Sequence, residues 1–157
     1  MYLVDGHNLI PKLPGLDLRQ MDDEQGLIAW LQVFCRVRRQ TVEVYFDRAQ
    51  VGGAGQTQVG MVRVHWVRAG RTADDALTAR LQQLGRAARN WQVVSSDRRV
   101  QAEARACGAG VVSSEAFAQL LIAARRQEAE QARLRGTSDP GELEEWLRTF
   151  GAEDENS

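Results

Sequence analysis

Acidic residues follow four strand-like segments of this 157-residue chain, at or near the point where each segment ends. They are Asp5 after YLV, Asp47 after TVEVYF, Asp74 with Asp75 after MVRVHWV, and Asp97 after WQVVSS. In an open parallel sheet the carboxyl ends of the strands share one rim, and ligands bind there. Carboxylates held close together destabilise a fold unless a cation offsets their repulsion. Because no His or Cys cluster accompanies them, the pattern favours Mg²⁺ or a similar hard cation over zinc.

Some of these acids also have structural explanations. Asp75 lies three residues after Thr72, and Thr-x-x-Asp is a capping box at the start of a helix. Asp97 taken alone would be an ordinary helix cap. Asp47 ends a strand that need not lie beside the reaction centre, so it is either a ligand or a structural residue. Asp74 has no comparable local explanation, which makes it the stronger functional candidate of the adjacent pair.

The segment that follows the first strand adds polar groups beside Asp5. Gly6 allows a tight turn at the strand end. Asn8 either caps that turn or holds Asp5 or a metal-bound water. His7 is either a base or, as is commoner for a histidine in a turn, an exposed side chain. The first strand therefore ends in what we interpret as the floor of a site.

Strand-like and helix-like segments alternate along the chain, which is typical of an α/β fold with helices on both faces of a mostly parallel sheet. The five predicted strands are 2–4, 41–46, 61–67, 91–94 and 110–112. The predicted helices begin near Asp22, Thr72, Asp97 and Ser114. The Gly-rich segment 48–60 lacks a Gly-Lys-Ser/Thr ending, so it is not a phosphate-binding P-loop. It is either a flexible connector or a contact for a polymeric substrate.

The chain length is that of one ordinary domain, which we expect to span residues 1–135. The segment SDPGE has the composition of a helix start, and a helix over 136–150 is predicted to dock on this domain. Its apolar stripe consists of Leu143, Trp146, Leu147 and Phe150. The acidic tail 151–157 has nothing to bury and is predicted to be disordered.

Composition excludes several function classes. A formal net charge of −1 and a pI near 6.1 argue against an overall basic coat for nucleic acid, although they are compatible with a local basic patch. Neither Cys35 nor Cys107 has the spacing of a zinc or redox motif. No stretch approaches the ~20 apolar residues that span a bilayer. We therefore expect a cytoplasmic protein without a membrane partner, and the sequence indicates no oligomeric state.

The segments VDGHN, VYFD, TADD and VVSSDRR, in this order and spacing, resemble those of the bacterial YacP-like NYN domains. These domains are relatives of the PIN-like ribonucleases, and the resemblance covers roughly residues 1–135. It implies a PIN-like three-layer α/β sandwich and Mg²⁺- or Mn²⁺-dependent endoribonuclease chemistry. In some members it also implies an association with translating ribosomes.

Carried over residue by residue, the resemblance implies a catalytic set of Asp5, Asn8, Asp74, Asp75 and Asp97. The implied metal ligands are Asp5, Asp74 and Asp97, with Asp47 as an auxiliary one. Gln101 occupies the place of a further Asp that some eukaryotic relatives have, which argues against a full second metal site. Arginines next to the strand ends are candidate contacts for the RNA backbone, with solvated side chains as the alternative. They are Arg48, Arg71, Arg98 and Arg99.

The sequence thus predicts a metal-dependent endoribonuclease that acts on RNA, and on ribosome-associated messenger RNA in particular. One rival is a phosphatase with a nucleophilic Asp, but His7 occupies the position where such an enzyme has its second Asp. The other rival is a catalytically silent RNA- or ribosome-binding module of the same fold. The intact carboxylates argue against that module.

Overall fold

The computed structural model of the chain describes residues 1–16, 23–47, 55–68 and 70–135. Its strands are Tyr2–Asp5 (β1), Val42–Asp47 (β2), Gly55–Val59 (β3), Val62–Val67 (β4), Gln92–Val94 (β5) and Gly110–Val112 (β6). Its α-helices are Gly6–Leu9 (α1), Asp23–Arg38 (α2), Ala73–Leu84 (α3), Arg98–Ala106 (α4) and Ser114–Arg135 (α5). Two 3₁₀ turns cover Ile10–Lys12 and Gly85–Asn90.

The six strands form one sheet in the order β3-β4-β2-β1-β5-β6. All neighbours are parallel except β3, which pairs antiparallel with β4. The chain runs from β1 to β2 and β4 on one side, and then returns to β5 and β6 on the other. The strand order therefore reverses beside β1, and this is where an open α/β sheet places its ligand site.

The sheet has one strand more than the sequence predicted, and the extra strand lies in the segment that was expected to be a loop. β3 is an edge strand, and four of its five residues are exposed. An edge strand without a buried face has no apolar alternation, so its sequence does not differ from that of a polar loop.

Two apolar layers cover the two faces of the sheet. On one face α2 and α5 pack over a cluster that includes Phe34, Phe46 and Phe117, all fully buried. On the other face α3 and α4 pack over a second apolar cluster, to which α3 contributes Leu77 and Leu81. The predicted fold class, an α/β sheet with helices on both faces, is confirmed.

The predictions for the C-terminal segment concern residues outside the described ranges. The helix predicted over 136–150 and the tail 151–157 both lie there, as does Arg48. Within residues 1–16, 23–47, 55–68 and 70–135, every helix is too short or too polar to cross a membrane.

Candidate active site

Asp5 is the last residue of the central strand β1, and it lies at the point where the strand order reverses. It is only 8% exposed. The chain enters α1 directly after it, and Gly6 does not have a positive φ. A side chain at Gly6 would overlap the ring of Phe46. The glycine is therefore required by the close approach of α1 to β2, and not by a turn that only glycine can adopt as the sequence suggested.

Asp74 comes to Asp5 from the first turn of α3. Thr72 caps this helix and forms a reciprocal capping box with Asp75, as predicted: Asp75 donates its N–H to Thr72 Oγ1 at 3.1 Å, and the Thr72 N–H lies 3.4 Å from Asp75 Oδ2. The side chain of Asp75 is thus occupied by the cap. Asp74, its neighbour, forms a side-chain hydrogen bond with Asp5.

Asp47 fixes the helix that presents Asp74. Its Oδ1 accepts a hydrogen bond from the backbone N–H of Ala73, the first residue of α3, at 2.5 Å. The other oxygen, Oδ2, lies 3.9 Å from His7 Nδ1. The sequence left Asp47 as either a ligand or a structural residue. The structure gives it a structural role, because this bond holds the start of α3 against the end of β2.

The environment of Asp5 raises the pKa of its carboxyl group from 3.8 to about 7. Burial is the largest cause, followed by the hydrogen bond with Asp74 and the negative charge of Asp74. Asp47 adds to the effect, while the nearby backbone N–H of Asn8 opposes it. The fold therefore favours the protonated form of Asp5, and a bound cation would offset the same cost of its negative charge.

Asn8 is held by hydrogen bonds from residues that are distant in sequence. Its Oδ1 accepts from the backbone N–H of Ser96 at 2.9 Å and from Ser114 Oγ at 2.5 Å. The second of these bonds joins residues that are 106 positions apart. Since the carbonyl oxygen is engaged, the amide N–H groups of Asn8 are the part of its side chain left for a ligand.

Asp97 is the N-cap of α4. Its Oδ1 accepts hydrogen bonds from the backbone N–H groups of Arg99 at 2.8 Å and Val100 at 3.2 Å. Its own N–H donates to Ser95 Oγ at 3.1 Å. The side chain is exposed, and only Oδ2 is left outside the cap.

Asp97→Asn is expected to leave the free energy of unfolding unchanged within about 0.5 kcal/mol, because Asn and Asp are comparable N-caps, whereas Asp97→Ala should cost about 1 kcal/mol. Denaturant unfolding of the two variants measures the difference. Equal destabilisation by both substitutions would contradict the capping role.

The predicted ligand set of Asp5, Asp74, Asp97 and Asp47 is not assembled in the structure. Within the described part of the chain, no three or more His, Cys, Asp or Glu side chains form a group that could hold a metal ion. Asp47 and Asp97 each have one oxygen bound by backbone N–H groups at a helix start. What the fold brings into contact is a pair, Asp5 with Asp74.

Three of the four predicted arginines can be placed. Arg98 and Arg99 are exposed in the first turn of α4, and Arg71 is exposed just before α3. All three therefore lie next to strand ends on the rim side of the sheet. Arg48 lies outside the described residues.

A polar network beside Asn8 was not predicted. Ser96 Oγ donates to Glu115 Oε2 at 2.6 Å and accepts from the backbone N–H of Ser114 at 3.0 Å. Lys12 Nζ lies 3.1 Å from Glu115 Oε1. The hydrogen bond from Ser96, together with those from the backbone and Lys12, lowers the pKa of Glu115 to about 2. The only sequence signal was the second Ser of VVSSDRR, which by itself indicates a turn.

His7 lies between two carboxylates at the edge of the site. Its Nε2 is 3.4 Å from Glu24 Oε2, and its Nδ1 faces Asp47. The ring is half-buried, so it is not the freely exposed turn residue that is usual for histidine in such a position. Glu24, in the first turn of α2, was not among the predicted site residues.

Comparison with known families settles the relationship that this geometry suggests. The family model of the YacP-like NYN domain matches residues 2–151. The chain belongs to this family. The match includes β1, the start of α3 and the start of α4, which contribute Asp5, Asp74 and Asp97.

Solved structures of the family have the same fold. The chain is 26% identical to Rae1 (YacP) from Bacillus subtilis, with a TM-score of 0.75, and the match covers 96% of this chain and 92% of that one. A tryptophan-to-leucine mutant of the same protein gives 25% identity and a TM-score of 0.72, over 99% and 98% of the two chains. A search of curated proteins finds no match.

Proposed function

We propose that the protein is a divalent-metal-dependent endoribonuclease that hydrolyses phosphodiester bonds of RNA. We further propose that it acts in the cytoplasm on messenger RNA in association with the ribosome. The nuclease-like fold of the NYN family supports the reaction class. The observation on which the proposal depends is the Asp5–Asp74 contact at the point where the strand order reverses.

The Asp5–Asp74 pair fits a hard divalent cation. Mg²⁺ is usually bound by one or two carboxylates together with waters and substrate phosphates, so a pair is sufficient and a dedicated cage is not required. The raised pKa of Asp5 means that the second negative charge is disfavoured in the metal-free protein. A cation between the two groups removes that penalty. Asp5 and Asp74 would therefore hold Mg²⁺ or Mn²⁺.

Mg²⁺ or Mn²⁺ held by Asp5 and Asp74 would supply Lewis-acid activation of water and charge stabilisation for the leaving oxygen of an in-line displacement. The expected products are a 5′-phosphate and a 3′-hydroxyl.

Residues of the chain other than the carboxylate pair have defined tasks in this proposal. Asn8, fixed through its Oδ1, offers amide N–H groups to a phosphate oxygen. Asp47 and the Thr72–Asp75 cap keep Asp74 in place through α3. Asp97 retains one oxygen outside the cap, which would be available to a water of the site. The auxiliary arginines contact the RNA backbone; they are Arg48, Arg71, Arg98 and Arg99.

A silent RNA-binding module of the same fold is less well supported. Phosphate groups are repelled by carboxylates, so a module that only binds RNA gains nothing from Asp5 and Asp74 in contact at its ligand site. The pair also makes the metal-free fold less stable, because burial and the neighbouring charge both disfavour ionised Asp5. Such a cost is typical of residues kept for function.

The proposal is tested by incubating the protein with single-stranded RNA and with DNA of the same sequence, in Mg²⁺, Mn²⁺ or EDTA, with and without ribosomes. We expect metal-dependent internal cleavage of RNA, 5′-phosphate ends on the downstream products, and faster cleavage when the messenger RNA is being translated. Absence of cleavage under all of these conditions would contradict the enzymatic proposal. Cleavage of free RNA that ribosomes do not accelerate would contradict only the ribosome association.

A further inference from the structure

The face of the sheet that carries α3 is only half covered. α3 packs on β1 and β2, and α4 packs beyond it toward β6. Among the described residues, no helix covers β4 and β3 on this face. The uncovered half forms a cleft between β4 and α3 with a volume of about 610 Å³, within the roughly 300–1,000 Å³ of ligand sites in general.

The cleft extends toward the carboxyl end of β4. A second cavity of about 400 Å³ shares Tyr45, His65 and Arg71 with the first and extends to Val67 at the end of β4. Val67 is the register partner of Asp47, whose Oδ1 binds the start of α3. The second cavity therefore reaches the carboxyl end of β4, beside the strand that ends in Asp47.

Charge in the cleft is net positive. Among the described residues that line it, Glu43 is the one carboxylate, and it is already neutralised by a bidentate pair with Arg80, at 3.1 and 3.0 Å. His65 Nε2 lies 3.3 Å from the same carboxylate. Arg63 and Arg71 are exposed at the walls, and the contact that Arg63 makes, to Gln58 at 3.4 Å, is a long one. Two guanidinium groups are thus placed to meet an anion.

An aromatic surface forms the floor of the cleft. The ring of His65 stacks on Tyr45 with 4.5 Å between centroids and 6° between planes. Tyr45 is buried and donates a hydrogen bond from its hydroxyl to Glu43 at 3.2 Å, so the position of its ring is fixed. The side chain of His65 is 22% exposed. It therefore presents part of a fixed ring beside the arginines.

We infer that this cleft is a binding track for single-stranded RNA, in which a base stacks on His65 while Arg63 and Arg71 contact phosphates. Stacking on aromatic side chains combined with a positive groove is how proteins bind single strands without reading sequence. The inference rests on the proposed function in one respect: the strand is taken to be the same RNA that reaches the Asp5–Asp74 pair.

Binding is measured in EDTA, where no cleavage occurs, by fluorescence anisotropy of a labelled single-stranded RNA. We expect Arg63→Glu to weaken binding roughly fivefold or more and to lower the slope of log K against log salt by about 0.7 for each lost phosphate contact. His65→Ala should also weaken binding roughly fivefold or more, whereas His65→Phe, which keeps a ring, should retain it. Melting curves confirm that each variant is folded.

Arg105→Glu is the matched control. Arg105 is exposed on α4, on the other side of α3 from the cleft, and the substitution makes the same change in charge. It should leave RNA binding unchanged. Equal weakening by Arg105→Glu and Arg63→Glu would overturn the inference, because it would mean that only the overall charge matters. Wild-type affinity in both Arg63→Glu and His65→Ala, or no binding by the wild type, would overturn it as well.

Competitors separate RNA from other ligands of the same charge. Polyglutamate or AMP in excess should not displace the labelled RNA, and displacement by either would overturn the inference in favour of an acidic peptide or a mononucleotide. The outcome is separable from that of the proposed function. Metal-dependent cleavage with normal binding by the cleft variants would refute the track alone, whereas selective loss of binding without any cleavage by the wild type would refute the enzyme alone.

Discussion

Asp5→Asn is expected to lower metal-dependent RNA cleavage by at least about a hundredfold. Loss of a residue that only supports a metal ligand lowers activity by up to about a hundredfold. Asn keeps the volume of the side chain but removes the charge that the cation requires. Asp74→Asn should have a similar effect, because the two carboxyl groups form one contact. Single-turnover cleavage of a labelled RNA in Mg²⁺ measures the loss.

The same substitution should stabilise the protein in EDTA. The pKa of Asp5 is 3.8 in its ordinary state and about 7 in the fold, so the group is protonated in both states below about pH 4. As the pH rises to 7, the folded state holds a proton that the unfolded state has released, and stability falls. At about 1.4 kcal/mol per pH unit, the penalty above pH 7 is at most about 4 kcal/mol. Asp5→Asn removes it.

Paired melting curves in EDTA at pH 5 and pH 8 test this effect. The advantage of Asp5→Asn over the wild type should be larger at pH 8. Millimolar Mg²⁺ or Mn²⁺ should raise the melting temperature of the wild type and have little effect on the variant, since a ligand that binds only the folded state stabilises it. Glu130→Gln, an exposed change of the same charge on α5, is the control and should change neither property. A less stable Asp5→Asn in EDTA would mean that the Asp5 carboxylate is structural.

The contact between Asp5 and Asp74 could be predicted from the sequence because both residues lie at the ends of regular elements. Asp5 directly follows an apolar strand, and Asp74 lies in the first turn of a helix whose cap is visible as Thr72 and Asp75. Parallel strand ends meet on one rim, so these positions converge whatever the details of packing. Local pattern and topology were sufficient here.

The partners of the other carboxylates could not be predicted in the same way. Asp47 binds the N–H of Ala73, and Asp97 binds two N–H groups of its own helix. Whether an acid at a strand end faces a metal or a helix start depends on side-chain rotation and on the position of the next helix. The sequence contains neither. The capping of Asp97 was visible only as an alternative.

Contacts distant in sequence were also missed. Ser114 binds Asn8 across 106 positions, and no local pattern marks such a pair. The edge strand β3 was missed for the opposite reason, because its residues bury nothing. Both features contribute to the candidate functions: the first fixes Asn8 beside Asp5, and the second adds Gln56 to the wall of the cleft.

Arg80→Met is expected to destabilise the protein by about 2–3 kcal/mol, somewhat less than the ~3–5 kcal/mol for fully buried ion pairs, since Arg80 faces the cleft and is 24% exposed. Burial on its own would raise the pKa of Glu43, but the neighbouring His65 and the hydrogen bonds from Arg80 outweigh it and lower that pKa from 4.5 to about 2. Without Arg80, a buried carboxylate loses its main counter-charge.

The pH dependence of the unfolding free energy lost in Arg80→Met identifies the cause of the loss. In the wild type, the stability contributed by ionised Glu43 is fully present above pH 4.5 and is lost as the pH falls toward 2. In Arg80→Met the pKa of Glu43 rises, so the folded variant takes up a proton at a higher pH than the folded wild type does. The difference in unfolding free energy between the two proteins should therefore be largest at neutral pH and shrink as the pH is lowered.

The double variant Glu43→Gln with Arg80→Met separates charge from packing. Replacing both members of a buried ion pair is often neutral, whereas removing one partner leaves an uncompensated charge. In urea unfolding at pH 7, the double variant should therefore recover most of the stability that Arg80→Met alone has lost. If the double variant is as unstable as the single one, the loss comes from the packing of Arg80 on Trp91, whose ring centre lies 5.6 Å from the guanidinium.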